Sequence, residues 1–144
     1  MAQTYSTELA GIVSTPVVKP TAMAYGARIK RFRASVALAS QAFGAGNEII
    51  LAKVPAGYTF AYGVITSDTS LSTSTVSVGI SGTVAKYKAA AVFTSTDTPT
   101  LFGTTAQIVN SPLTAEETIF AQVLIANLPA SGNLVVDLYF TEPN

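Results

Sequence analysis

Arg28, Lys30, Arg31 and Arg33 fall within six residues, with Ile29 and Phe32 between them. Clustered cations beside an aromatic ring can hold phosphates and stack a base, or can meet an acidic protein surface. Phe32 shares strand parity with Ala34, Val36 and Leu38, which makes it a core residue rather than a stacking one. The run then reads as a strand face ion-paired with the acidic half of the chain, or as a protein contact. Among the carboxylates, only Glu116 and Glu117 are adjacent. In a strand they point to opposite faces, which does not suit two carboxylates flanking one glycosidic bond. One of them is expected in solvent and the other at a strand start. Asp68, Asp97 and Asp137 are scattered. The chain has no His and no Cys, so the commonest general base, the commonest metal ligand and the thiolate nucleophile are missing. No Ser stands three residues before a Lys, so the S-x-x-K pattern is absent. There is no Gly-rich phosphate loop or EF-hand loop. No catalytic, cofactor-binding or metal-binding residue is expected, and no cofactor. Tyr58, Phe60 and Tyr62 would line one face of an alternating strand, either as core or as a sugar-binding platform.

The elements that must position these residues are strands. Residues 28–38, 48–54, 58–68, 75–81, 106–110, 116–126 and 134–141 read as period-2 segments bounded by Gly, Pro, Asn or Ser. In the last of them Leu134, Val136, Leu138 and Phe140 face one way, and Val135, Asp137, Tyr139 and Thr141 the other. Gly79 and Gly82 flank Ile80 and suggest a bulge or a close backbone approach. Residues 84–93, V-A-K-Y-K-A-A-A-V-F, form the one plausible short helix, since Ala has the highest helix propensity. Residues 94–105 read as a loop with Leu101 and Phe102 tucked back. Residues 1–27 form an extended N-terminal arm, a candidate eighth strand, kept from a sheet interior by Pro16 and Pro20. Its apolar residues suit contact with its own domain or with a neighbour. The interface candidates are Ile12, Val17 and Lys19 in the arm and Arg28, Lys30, Arg31 and Arg33 after it. The domain is then residues 28–144, an all-β antiparallel sandwich of jelly-roll type.

Charged residues make up only 11% of the chain, less than half the usual share, and mean hydropathy is +0.42. So sparse a charge suits a surface packed against other subunits better than a free monomer. The net charge is zero, so no global field draws nucleic acid or anionic lipid. The distribution is uneven: residues 1–33 are basic, and residues 89–144 carry acids with no Lys or Arg. The N-terminal residues lack the basic start and apolar core of a signal peptide, and residues 118–136 are broken by Gln122, Asn127, Pro129 and Gly132. A membrane partner is not expected.

Several strings carry a resemblance. They are Y-G-A-R running into I-K-R-F-R-A-S-V-A-L-A-S-Q, I-I-L-A-K-V-P-A-G-Y-T-F-A-Y-G-V, S-T-S-T-V-S-V-G-I-S-G-T-V-A-K-Y-K-A-A-A-V-F-T and L-V-V-D-L-Y-F. From Tyr25 onward the chain resembles the capsid decoration, or cement, proteins of tailed bacteriophages. The resemblance implies a jelly-roll fold and a structural role in the virion. Such a protein binds the outside of the head as a homotrimer and braces it against packaged DNA. The implied partners are the major capsid protein and other copies of the chain, with no nucleic acid. The implied location is the capsid surface, after assembly in the host bacterial cytoplasm. Another particle component (tail, fibre base or head completion) and a carbohydrate-binding jelly-roll module are the alternatives.

Overall fold

Runs rich in Val, Ile, Phe and Tyr form eight strands among the described residues: β1 (Ile29–Ala37), β2 (Glu48–Val54), β3 (Thr59–Ser67), β4 (Thr75–Ile80), β5 (Thr83–Val92), β6 (Thr100–Phe102), β7 (Glu117–Leu124) and β8 (Asn133–Thr141). The structure, a computed structural model, describes residues 6, 9–19, 26–40, 43–109 and 111–143. The antiparallel pairs nest: β1 with β8, β2 with β7, β3 with β6 and β4 with β5. A long hairpin is thereby rolled into two four-stranded sheets, β1-β8-β3-β6 and β2-β7-β4-β5. This is the jelly-roll sandwich that the strand pattern and the resemblance call for.

The core lies between the sheets. In β8 the inward set Leu134, Val136, Leu138 and Phe140 is fully buried. Ile119, Ala121 and Val123 of β7 and Val76 and Val78 of β4 face it from the second sheet. Phe60, Tyr87 and Phe140 pack ring against ring with centroids 4.6 to 6.1 Å apart, and Phe32 adds its edge to Phe140 at 5.8 Å. Such pairs add to the gain from burying each ring.

Several expectations need correction. Residues 84–93 are not a helix but most of β5. Propensity favours helix over the alanines, yet Tyr87 gains more by filling the core, and pairing with β4 satisfies the backbone. The pairing is irregular. From Ile80↔Thr83 to Val78↔Lys88, β4 advances two residues and β5 five. Residues 106–110, read as a strand, hold the short helix α1 (Thr105–Ile108). The expected loop 94–105 contains β6, where Phe102 does pack on the core while Leu101 is exposed. In β3 the register shifts between Phe60 and Tyr62. Phe60 therefore points inward but Tyr62 outward, and Gly63 and Ile65 take the inner face. Tyr58, Phe60 and Tyr62 do not share a face. Among the described residues the arm forms no strand. Residues 9–19 curl rather than extend: a 3-10 turn spans Ala10–Val13, and Val18 N–H donates back to the Gly11 carbonyl at 2.9 Å. Expectations for residues 1–5, 7–8 and 20–25 lie outside the described residues.

Candidate interaction surfaces

The outward face of β1-β8-β3-β6 brings together what the sequence separates. Arg33 lies opposite Asp137 in register, and Arg31 opposite Tyr139. Arg33 grips the carboxylate with both arms: Nε donates to Oδ1 at 2.8 Å and Nη2 to Oδ2 at 2.7 Å. Paired, planar hydrogen bonds of this kind are the strong form of an ion pair. They hold the Asp137 carboxyl below the usual carboxylate range. Lys30 reaches Glu142 at 3.6 Å in a more open contact. Two members of the basic run are thus engaged by the acidic end of the same chain. Among the described residues Arg28 and Arg31 form no salt bridge, and both are exposed. Lys30 sits on core parity yet is exposed, as is Ile29. The start of β1 simply runs past the edge of the core.

The buried Asp137 gives a pH prediction. A carboxyl whose folded pKa is depressed stabilises the fold fully above its unfolded value, about 3.9. That contribution is lost as pH falls through the lower folded value. The wild type should therefore lose melting temperature below about pH 4 more steeply than Asp137→Asn. The difference should be about 1 kcal/mol at most, because Arg33 is half exposed and water screens the pair. Parallel curves would show that the pair contributes nothing.

Beside this pair the face turns apolar. Tyr62 and Tyr139 stack with centroids 4.5 Å apart and planes 19° from parallel. Next to them an open depression of about 650 Å³ is lined by Tyr62, Leu101, Phe102, Gly103 and Ile108. Leu101 is 70% exposed, and Ile108 and Val109 are also exposed. The Phe102 ring lies directly over Gly63, where a Cβ would come within 2.2 Å of it. The lining offers no carboxylate or amide to grip a sugar hydroxyl. Tyr58 turns away and packs edge-on against Phe32 at 6.0 Å. A lectin platform of Tyr58 and Tyr62 is not formed.

In the arm Val17 is 63% and Val18 59% exposed, and Lys19 is exposed. The side chain of Ile12 lies outside the described residues. Among the described residues the backbone hydrogen bonds of the arm close within it, from Leu9 N–H to the Ser6 carbonyl and from Ser14 and Val18 N–H to the Gly11 carbonyl.

Away from this face, one buried polar cluster ties β5 to β7. Glu117, at the start of β7, accepts from the Tyr87 hydroxyl at 2.6 Å and from the Lys86 amine. Burial pushes the Tyr87 hydroxyl far above its ordinary range, so it stays a donor. Glu116 is exposed, as expected for the other member of the pair. Among the described residues no three His, Cys, Asp or Glu side chains are placed to hold a metal. Among them, too, no helix is long and apolar enough to cross a membrane.

The rolled eight-stranded sandwich is shared with solved structures. The fold recurs in phage capsids. A chain of the cyanophage Pam1 capsid asymmetric unit superposes with a TM-score of 0.63 at 20% identity, covering 83% of this chain and 88% of that one. A chain of the capsid of Ralstonia phage GP4 gives 0.60 at 16% identity, covering 82% and 85%. A chain of the acid-stable capsid of Helicobacter pylori bacteriophage KHP30 gives 0.51 at 17%, covering 78% and 94%. No family model matches the chain, and no curated protein matches it.

Residue-by-residue reading named the cations of the basic run but missed the apolar surface beside them. Tyr139 was legible as an outward residue of the last strand. Tyr62 was hidden by the bulge, which reverses its side. Leu101 and Ile108 come from segments whose structure was misassigned, and no local pattern marks them as neighbours of Tyr62.

Proposed function

We propose that the chain is a structural protein of a phage particle, a decoration protein that binds the outside of the head and stabilises it. The observation that carries this reading is the fold shared over most of its length with chains from three phage capsids. Its sparsely charged surface agrees, because a protein that works by packing needs contact area rather than reactive groups. The apolar depression beside Tyr62, the exposed Val17 and Val18, and the exposed Arg28 and Arg31, which form no salt bridge among the described residues, are surfaces on which copies of the chain and the major capsid protein can meet. A homotrimer closes through heterologous contacts, in which one patch meets a different one. The zero net charge gives no reason to add nucleic acid.

The test is direct. Light scattering on purified protein should give three times the 14.9 kDa chain mass. Heads of the encoding phage that lack the protein should take it up on their outer surface, seen by cryo-electron microscopy, and resist heating better afterwards. Density at the tail or within the shell would replace this reading with another particle role.

A further inference from the structure

Ion pairing within the chain leaves the outward face of β1-β8-β3-β6 with one positive charge over. Arg33 and Asp137 neutralise each other, and Lys30 and Glu142 do so at its edge. Arg31 lies near enough to Asp137 to help lower its pKa. Among the described residues it nevertheless forms no salt bridge, and it is exposed. Its neighbours across the face are aromatic. Arg31 is in register with Tyr139, and Tyr139 with Tyr62. From the spacing of neighbouring strands, Tyr139 stands about 5 Å from Arg31 along this row and Tyr62 about 10 Å. The apolar depression begins at Tyr62 and extends to Leu101 of β6. This face suits a carboxylate with an apolar side chain about 5–10 Å away from it.

The second sheet presents that combination. In β2 Ile49 and Leu51 go to the core, so Glu48 and Ile50 face outward. Both are exposed, Ile50 by 57%, and Glu48 forms no salt bridge among the described residues. Two positions apart on one strand face, they stand about 7 Å from each other. The other exposed acids lack this arrangement. Asp68 is held by Asn133. Asp97 and Glu116 have no exposed large hydrophobic residue within three positions of them in the chain. β2 is also an edge strand, paired with β7 alone. When Glu48 meets Arg31, with the two sheets crossing near right angles, Ile50 comes down on the Tyr139–Tyr62 stack at the rim of the depression. Lys53, about 16 Å from Glu48 along β2, then clears the basic run.

We propose that Arg31 and the stacked Tyr139 and Tyr62 of one copy receive Glu48 and Ile50 of a second copy. The occupant of the face is thus the chain itself, selected by the charge it carries and by the matched spacing. The contact is heterologous, since two different patches meet. The inference rests on the self-association in the decoration reading above.

Sedimentation over a concentration series compares wild type, Arg31→Glu, Glu48→Arg and the variant carrying both changes. Both positions are exposed, so all four proteins should fold, which circular dichroism checks. Each single change sets like charges against each other and should weaken association about a hundredfold or more. The double variant rebuilds the pair with its signs exchanged and should return to within about tenfold of the wild type. Single variants that associate like the wild type overturn the inference; if phage heads still take up the protein, the decoration reading stands. A double variant as weak as the single ones shows that the two residues do not meet, and also overturns it. A wild type that stays at the 14.9 kDa chain mass overturns the inference outright, and uptake by heads, measured separately, then decides the decoration reading.

Discussion

Gly79→Ala should destabilise the protein by about 3 kcal/mol, the upper end of what forcing atoms into a packed site normally costs. The cause is the fold-back of the β4–β5 hairpin. The extra residues of β5 carry its backbone across Gly79, where an added Cβ would lie 2.2 Å from the Thr83 carbonyl oxygen and 2.5 Å from the Val84 carbonyl carbon. These are backbone atoms, so no side-chain rotation relieves the clash. Gly82→Ala, in the turn of the same hairpin, makes a good control. Its φ is +80° but nothing lies near its Cβ position. The cost there should be only the conformational one, about 1 kcal/mol. The midpoint of urea unfolding checks both; a Gly79→Ala midpoint equal to that of the wild type would mean that the hairpin does not cross Gly79.

Tyr87→Ala should cost more, about 3–5 kcal/mol, the range for removing a buried aromatic ring. A typical domain has about 5–15 kcal/mol in all, so this variant should be close to unfolding at 37 °C. Tyr87 is fully buried, and its ring lies 4.6 Å from that of Phe60. Tyr87→Phe separates the ring from its hydroxyl. It keeps the packing and strips Glu117 of one donor, leaving Lys86, for a cost of about 1–2 kcal/mol. Calorimetric melting of the two variants ranks them. A Tyr87→Ala protein as stable as the wild type would restore the amphipathic helix for residues 84–93.

Where burial imposed a clean two-residue period, the sequence could be read directly. β8 is the clearest case: its inward and outward sets are those of the structure, and β1 alternates from Phe32 on, whereas β2 carries a bulge between Ile50 and Ala52 and β7 buries Ile119, Phe120 and Ala121 in a row. β5 could not be read, because four more of its residues than of β4 fall between the paired ends Thr83–Val92 and Ile80–Thr75. The alternation is lost, and the alanines speak for helix. β6 is three residues long, too short for any period. The interaction surfaces divide in the same way. The basic run stands out as a string of letters, but its main partner is 104 residues away. The Tyr62–Leu101–Ile108 depression draws on three elements, one displaced by a bulge, so only the folded chain assembles it.

The nesting of the strand pairs bears on how the protein is made. β4 and β5 are joined by a two-residue turn, whereas β1 waits for β8, about a hundred residues later. β8 is also the strand that lies between β1 and β3. Until it leaves the ribosome, both of those strands have an unpaired edge, and the first sheet has no centre. Such distant pairing slows folding and leaves open edges available to other chains. A nascent chain can form the β4–β5 hairpin early, but it cannot close the first sheet until translation has delivered β8. Many copies made at once on neighbouring ribosomes are therefore most prone to pair wrongly in the interval before β8 emerges.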